Sequence, residues 1–376
     1  MNGRYLLVVP VPFHPLPDGR AAIESAFATH LQALLASLRP RITELEVLAP
    51  AMDDAAYAAS KLSLRELDPA ADGIRCTPAY PLNTGRLRFL LGLPRLLLRL
   101  WRAVGRAAFV HAGPSPLWRP FENVALLFGW LARRTTVYVT DIDHRESPRM
   151  NVATGAWSRG VAFRARHLHG RWTALQHHLA RWLCSTLFLK GQALVRDYGR
   201  GRAHVHYILD CAHGEDVVLD GARLDAKCRQ LAAPGRPLRA CYFGRLVAYK
   251  GVDRMLDAVA QARGSGAAVT FDIWGAGDAE PALRARVATL RLDRVVTFHA
   301  PLPYGGELFT ELAQCDLLLA APLSQDTPRS AIDAQALGLP VLAFDTYYYR
   351  ELAAQGAGVR VVPWPDVAAL AQALAA

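Results

Sequence analysis

The apolar residues of this chain come in short runs, and the runs recur with amphipathic, Ala-rich stretches between them. Residues 4–10 (RYLLVVP), 44–50 (ELEVLAP), 107–113 (AAFVHAG), 135–141 (TTVYVTD), 185–190 (STLFLK) and 203–209 (AHVHYIL) read as buried strands. Helical patterning covers 20–38 and 120–134. A second alternation begins after residue 238. Its strands are 239–244 (RACYFG), 268–275 (AVTFDIWG), 294–300 (RVVTFHA), 316–322 (DLLLAAP), 340–345 (PVLAFD) and 359–363 (VRVVP). Helical stretches 251–263, 279–291, 306–315, 329–337 and 347–355 separate them, and PDVAALAQALAA ends the chain in a further helical pattern. Strands alternating with helices predict parallel, doubly wound sheets. The polar stretch 218–238, which ends in Pro-Gly and Pro, reads as a linker between residues 1–217 and residues 239–376. The fold expected is α/β, with two Rossmann-like domains facing across a cleft.

With 376 residues, 52% of them hydrophobic and 20% charged, the chain has the composition of a globular protein, not a disordered one. A net charge of +10 favours anionic partners such as nucleotides, phosphosugars, acidic lipids or nucleic acid. No aromatic-basic recognition motif accompanies that charge, so nucleic acid is not an expected partner. The six cysteines are too far apart for a C-x-x-C pair or zinc spacing, and they read as scattered thiols of a reducing compartment. The N-terminal MNGRYLLVVPVPFHPLP reads as a strand interrupted by prolines and not as a signal peptide. No apolar stretch is long enough to predict a transmembrane helix.

The stretch YFGRLVAYKG (242–251) places Gly244 and Arg245 at the end of a strand, and Lys250 and Gly251 before a helix. Such turns offer unpaired N–H groups and the positive end of a helix dipole to an anion. Arg245 can grip a phosphate bidentately and Lys250 adds a point charge. A solvated loop with two surface cations is the plain alternative. The next strand ends in WGAG, where Gly275 and Gly277 permit close approach of a ligand to the backbone, or simply a tight turn. Further on, Arg329 and Ser330 open a short helix that carries Asp333 and stops at Gly338-Leu339-Pro340. That helix start is a second anion site, and the carboxylate one turn along suits the paired hydroxyls of a ribose.

The order GRL-x-x-x-KG, then a strand ending in G-x-G, then D-A-x-A-x-G-x-P-V resembles glycosyltransferase family 4, of the GT-B fold, over residues 239–355. Over 1–217 only the order of strands and helices agrees. The resemblance implies that Arg245 and Lys250 hold the diphosphate of a nucleotide sugar and that Asp333 holds its ribose. It also implies retention of anomeric configuration, with the leaving phosphate assisting the acceptor's deprotonation. Two departures stand out. The family pairs two glutamates, whereas this chain has Asp333 at the second position and Gln325, beside Asp326, at the first. The usual Gly-rich loop is replaced by Thr327-Pro328-Arg329-Ser330, which makes Arg329 an extra phosphate contact or a surface salt bridge.

In the N-terminal half, VYVTDIDHRESPR ends a strand with Asp141, Asp143 and His144. Family members place a histidine near the matching strand end; the position falls on Asp141 here, with His144 close by. Catalysis and loop stabilisation are both open for these residues. His14 and Asp18 follow the first strand and read as turn residues that could also serve a site. Residues 86–106 hold six arginines and no acid. At about 100° per residue, Arg88, Arg95, Arg99, Arg102 and Arg106 share one side, opposite a wide Leu/Phe/Trp arc. This cationic amphipathic helix, starting at Pro94, suits the surface of an anionic membrane, or else packs on the sheet with a basic face in water. His167, His169, His177 and His178 lie without a carboxylate or cysteine in 164–182, and they read as a helix face and not a metal site.

The resemblance implies a hexosyltransferase that uses a UDP- or GDP-sugar without metal or cofactor. Its acceptor would be a glycan or lipid-linked precursor in bacterial polysaccharide, lipopolysaccharide or glycolipid synthesis. It would work in the cytoplasm at the inner face of the plasma membrane. A nucleotide-sugar epimerase or hydrolase of GT-B build, and a catalytically inactive GT-B partner protein, are the alternatives.

Overall fold

The computed structural model describes residues 3–61, 64–209, 211, 213–231, 235–356 and 358–376. The chain divides into two compact units, Met1–Asp141 with Arg164–Ile208, and Ile142–Phe163 with Leu209–Ala376.

The first unit is built on strands β1 (Gly3–Val8), β2 (Phe13–Pro15), β3 (Ala21–Glu24), β4 (Ile42–Ala51), β5 (Leu64–Leu67), β6 (Ile74–Pro81), β7 (Phe109–Ala112), β8 (Thr135–Thr140), β9 (Thr186–Lys190) and β10 (Val205–Ile208). They form one sheet in the order β10-β9-β8-β7-β1-β4-β2-β3-β5, with β6 alongside β4. The ladder from β10 to β4 is parallel. Successive residues of β1 face opposite sides. Tyr5 and Leu7 pack with the Ser25–Leu38 helix, while Leu6 and Val8 pack with the Arg86–Arg106 and Phe121–Leu131 helices. Because both faces are covered, the strand reads as an unbroken apolar run.

The structure departs from the sequence reading at three places here. Residues 21–24 form a strand, antiparallel to β2 and to β5, and the helix begins only at Ser25. Ala21, Ala22 and Ile23 are buried, and an apolar triplet fits either period. Strand β6 was not anticipated in RCTPAYP, whose prolines lack N–H donors. Among the described residues it pairs only with β4, and a strand with a free edge tolerates them. The cationic helix likewise starts at Arg86 with Pro94 inside it, not at Pro94.

The second unit has β11 (Leu238–Phe243), β12 (Val269–Trp274), β13 (Val296–His299), β14 (Leu317–Ala320), β15 (Val341–Phe344) and β16 (Val359–Val362), all parallel, in the order β13-β12-β11-β14-β15-β16. This is the dinucleotide-binding strand order, and its direction of growth reverses between β11 and β14. Ala240 and Tyr242 face the helices Val252–Gly264 and Val367–Ala375, while Cys241 and Phe243 face the opposite layer.

The stretch read as a linker is structured. Gly221–Leu231 is a helix, Leu238 opens β11, and residues 232–234 lie outside the described residues. Lys227 is buried against the sheet and donates to the carbonyls of Ala313 and Cys315, which ties the helix to the second unit. Residues 142–163 also belong to that unit instead of the expected 1–217 block. The Asp143 N–H donates to the Tyr348 hydroxyl at 2.7 Å, and Asn151 reaches Ser324 at 3.3 Å.

Candidate functional site

The loops after β11 and β14 lie at the reversal point of the second sheet, where ligands of such folds bind. Gly244 leaves β11, and its N–H donates to Trp274 O at 3.0 Å. The Leu246 N–H donates to Ala276 O at 2.9 Å, and the Tyr242 hydroxyl donates to Arg245 O at 2.9 Å. The turn is therefore held on both sides while the exposed Arg245 side chain stays outside. A Cβ on Gly275 would lie 2.0 Å from Gly244 O, and one on Gly277 2.2 Å from Leu246 O. These glycines let the WGAG loop lie against the 244–246 turn, so the geometry gives them a packing role. Gly251 has φ 66° and a Cβ there would sit 1.9 Å from Ala321 O, so only glycine lets the helix Val252–Gly264 start so close to β14.

Around this turn the charged residues are interlocked. Lys250 Nζ lies 2.5 Å from Asp326 Oδ2, and the Asp326 side chain is largely buried. Arg245 donates to the Tyr249 hydroxyl at 2.8 Å, and the Lys250 ammonium also lies over the Tyr249 ring. Gln325, next to Asp326, donates from Nε2 to Glu146 Oε2 at 2.9 Å. Tyr349, behind Asp326, has its hydroxyl pKa raised by burial first and the Asp326 charge second, and it hydrogen-bonds to Ser330.

Asp333 is buried on the short helix Arg329–Ala336. Its Oδ1 meets His213 Nδ1 at 2.6 Å and accepts from the Tyr304 hydroxyl at 2.9 Å. Burial, and after it the Asp333 charge, raises the Tyr304 hydroxyl pKa, which keeps that hydroxyl a donor. Arg329 is exposed at the helix start. Beyond the ends of β12 and β13, a depression is lined by Trp274, His299, Ala300, Leu302, Glu307 and Glu311. There the His299 ring stacks on Trp274 at 4.3 Å and is held by Asp272 at 2.6 Å.

The expected donor residues Gly244, Arg245, Lys250, Gly275, Gly277, Gln325, Asp326, Arg329, Ser330 and Asp333 thus all fall in the second unit, on the loops and short helices that follow its strands. Asp141 and His144 separate: Asp141 ends the first unit, where its carboxylate holds the buried Lys190 at 2.5 Å, and the exposed His144 lies in the second. Asp143 is buried and clamps the Arg145 guanidinium at 2.6 Å, a loop-stabilising role. Asp18 closes a turn with Arg20, and His14 stacks on Tyr57 at 4.2 Å. His177 is buried and meets the Tyr138 hydroxyl at 2.8 Å, and His178 packs edge-on against Tyr198. Among the described residues no group of three or more His, Cys, Asp or Glu is placed to hold a metal ion.

Arg88, Arg95, Arg99, Arg102 and Arg106 are all exposed. Three of them, Arg88, Arg95 and Arg99, line a depression with Tyr80, Thr84 and Phe89. The helix has a third face the sequence did not separate. Leu87, Leu90, Leu91, Leu98 and Trp101 are exposed beside the arginines. Trp101 packs edge-on against Phe128 at 5.2 Å, so the exposed Leu127, Trp130 and Leu131 of the next helix extend that surface.

Glu146, His213, Tyr249 and Tyr304 escaped the sequence reading. Tyr249 stands inside GRLVAYKG and was legible as an aromatic between the two cations. The others lie far along the chain from their partners, and no local pattern marks them.

Comparison with known proteins agrees with this architecture. Residues 237–376 match the family described as Glycosyl transferases group 1. WcaL of Salmonella typhimurium, named as a putative colanic acid biosynthesis glycosyltransferase, is 29% identical over 153 residues. That match spans 39% of this chain and 37% of WcaL. HepE of Anabaena in complex with UDP superimposes with a TM-score of 0.62 at 18% identity, covering 98% of this chain and 88% of HepE. WaaG, a glycosyltransferase involved in lipopolysaccharide biosynthesis, gives a TM-score of 0.59 at 14% identity, covering 98% and 89%. The chain has the GT-B fold of these structures, and its residues 237–376 match the glycosyl transferases group 1 family.

Proposed function

We propose that the protein transfers a sugar from a nucleoside-diphosphate sugar, with retention of configuration and without metal, in the manner of glycosyltransferase family 4. The observation that carries this reading is the pairing of Arg245 and Lys250 on a glycine-bounded turn at the sheet's reversal point. As the glycosyl bond breaks, negative charge accumulates on the leaving diphosphate, and fixed cations placed there stabilise it. The start of the Val252–Gly264 helix adds backbone dipoles. Asp333, oriented by His213 and Tyr304, reads the ribose; Gln325, Arg329 and Ser330 complete the donor site, and Asp326 borders it as the carboxylate that holds Lys250. The UDP complex of HepE favours a uridine donor, with GDP-sugars as the alternative. The first unit takes a glycan or lipid-linked acceptor of polysaccharide, lipopolysaccharide or glycolipid synthesis.

The test is a binding and turnover panel of UDP, GDP and ADP with their sugars. Preferential binding of one diphosphate, with release of it only when acceptor is added, supports transfer. Release of free sugar without acceptor, or a changed nucleotide sugar, would point to a hydrolase or epimerase of this build. Binding without any turnover would point to an inactive partner protein.

A second observation favours work at the inner face of the plasma membrane. No helix of the described residues is long and apolar enough to cross a bilayer. The exposed Leu/Trp surface shared by the Arg86–Arg106 and Phe121–Leu131 helices is bordered by five arginines, which matches an anionic lipid surface in both charge and apolar depth.

A further inference from the structure

Arg88, Gly92, Arg95 and Arg99 follow one another at helical spacing and form a single stripe along the Arg86–Arg106 helix. The stripe edges a depression of about 180 Å³ that Tyr80 and Pro81, at the end of β6, also line. One water claims roughly 30 Å³, so a group with several oxygens fits there. The Tyr80 and Phe89 rings of the lining meet edge to face at 5.2 Å, and the Arg119 guanidinium holds both, at 5.6 and 5.3 Å. No acidic residue lines the depression, and none occurs in residues 82–106. Among the described residues Arg88, Arg95 and Arg99 have no acidic partner. Arg95 and Arg99 are four residues apart, a spacing at which like charges repel.

Gly92 is the second signal. Glycine weakens a helix interior, yet it stands here in mid-helix with an ordinary helical backbone, and a Cβ would meet no atom within 4 Å. Packing does not call for glycine at this position. Its missing side chain leaves the gap between Arg88 and Arg95 open. Leu87, Leu91 and Leu98 lie exposed on the neighbouring side of the helix. Because β6 runs parallel to β4 and ends at Pro81, the depression opens at the carboxyl end of its strand, the side on which open α/β sheets bind ligands.

We propose that this depression binds a terminal phosphate or diphosphate carried on an apolar chain, the head of a lipid-linked acceptor. Arg88, Arg95 and Arg99 take its oxygens, and the chain lies along Leu87, Leu91 and Leu98. This rests on the reading of the first unit as the acceptor side of a sugar transferase. Three guanidinium forks match a head with two or more negative charges better than the singly charged phosphodiester of a bilayer lipid. Attraction to a bilayer needs only charge and apolar depth, whereas this site needs the gap at Gly92.

Calorimetry uses farnesyl diphosphate, farnesol and inorganic diphosphate, in an Arg245→Ala/Lys250→Ala protein so that the candidate donor site takes no part. Farnesyl diphosphate is expected to bind and farnesol not to, with inorganic diphosphate at least about tenfold weaker than its farnesyl ester because it buries no apolar chain. Arg95→Gln and Arg99→Gln are each expected to lose roughly tenfold, the scale of one charge-assisted hydrogen bond. Gly92→Leu fills the gap with the charge unchanged and is expected to lose at least as much, while Gly92→Ala stays within about threefold. Both glycine substitutions favour the helix, so a loss confined to Gly92→Leu is not unfolding. Vesicles of phosphatidylglycerol and phosphatidylcholine test the other source of phosphate: they are expected to recover Gly92→Leu as well as the unaltered protein. A matching loss on vesicles would make the depression a headgroup site for bilayer lipids, and equal affinity for inorganic and farnesyl diphosphate would make it a free-phosphate site; either overturns the assignment to a lipid-linked acceptor. No binding of farnesyl diphosphate, or undiminished binding in Gly92→Leu and the arginine variants, would overturn the site itself. If the unaltered protein binds no nucleoside diphosphate, the functional reading falls, whatever these titrations show of the phosphate site.

Discussion

Lys250 Nζ lies 2.5 Å from Asp326 Oδ2, so the cation proposed to meet a diphosphate is already held by a mostly buried carboxylate. The pair keeps the ammonium on station in the free protein, and an incoming phosphate has to share it or displace the carboxylate. Removing the cation and removing its holder should therefore have opposite consequences.

Lys250→Ala is expected to weaken diphosphate binding by about 1.5–3 kcal/mol, the range for hydrogen bonds to charged groups. Asp326→Asn is expected to leave binding unchanged or tighter, since the ammonium no longer has a carboxylate to leave. Calorimetry with UDP and GDP decides it. A loss in Asp326→Asn equal to that in Lys250→Ala would mean that Asp326 places the lysine and does not compete with phosphate.

Asp333 takes both His213 and Tyr304 on one oxygen. Asp333→Asn should weaken binding of ribonucleoside diphosphates more than of their 2′,3′-dideoxy analogues. His213→Ala should show a smaller effect of the same selectivity. Equal weakening of both ligand types would remove Asp333 from the ribose.

Gly251 carries the turn at φ 66° with Ala321 O in the place of its absent Cβ. Gly251→Ala should cost at least about 1–2 kcal/mol from the left-handed backbone alone. Because Lys250 precedes it, diphosphate affinity should fall in parallel. Thermal melts of the free and ligand-bound variant measure both, and a variant with unchanged melting would contradict the close approach.

Glu122 is buried in the first unit, which pushes its carboxyl from 4.5 up to about 7. The folded protein then keeps a proton that the unfolded chain has already lost in that window. Stability from this group is present below about 4.5, falls as pH rises toward 7, and is flat above. The loss is no more than about 3 kcal/mol. Urea titrations at several pH values should show the difference between Glu122→Gln and the unaltered protein growing in the variant's favour from about pH 5 to about pH 7.5. A difference independent of pH would refute the shift.

Co-sedimentation with vesicles should require anionic lipid and decline with salt, since each arginine near such a surface is worth about 1 kcal/mol. Replacing Arg95, Arg99, Arg102 and Arg106 with Gln should abolish the salt-sensitive part. Replacing Leu91, Leu98 and Trp101 with Ser should remove what persists at high salt. Equal recovery on neutral and anionic vesicles would leave the helix a packing element.

Strands β1, β4, β7 to β10 and β11 to β16 were legible in the sequence because a sheet covered on both faces demands unbroken apolar runs, whereas β2, β3, β5 and β6 were not. The turn GRLVAYKG was legible too, as a glycine-bounded connection that carries two cations between a strand and a helix. What the sequence left undivided was the edge of the first sheet, where the triplet Ala21–Ile23 fits either period and the prolines of β6 argue against a strand. The Gly221–Leu231 helix was hidden in polar residues because it is held largely by Lys227 reaching backbone carbonyls, a contact with no hydrophobic signature. The pairs that build the candidate site, Lys250 with Asp326, Asp333 with His213 and Gln325 with Glu146, join residues far apart in sequence. Local pattern can place a charge on a loop. Only the packing of β11 beside β14, and of residues 142–163 onto the same unit, decides which opposite charge or amide it meets.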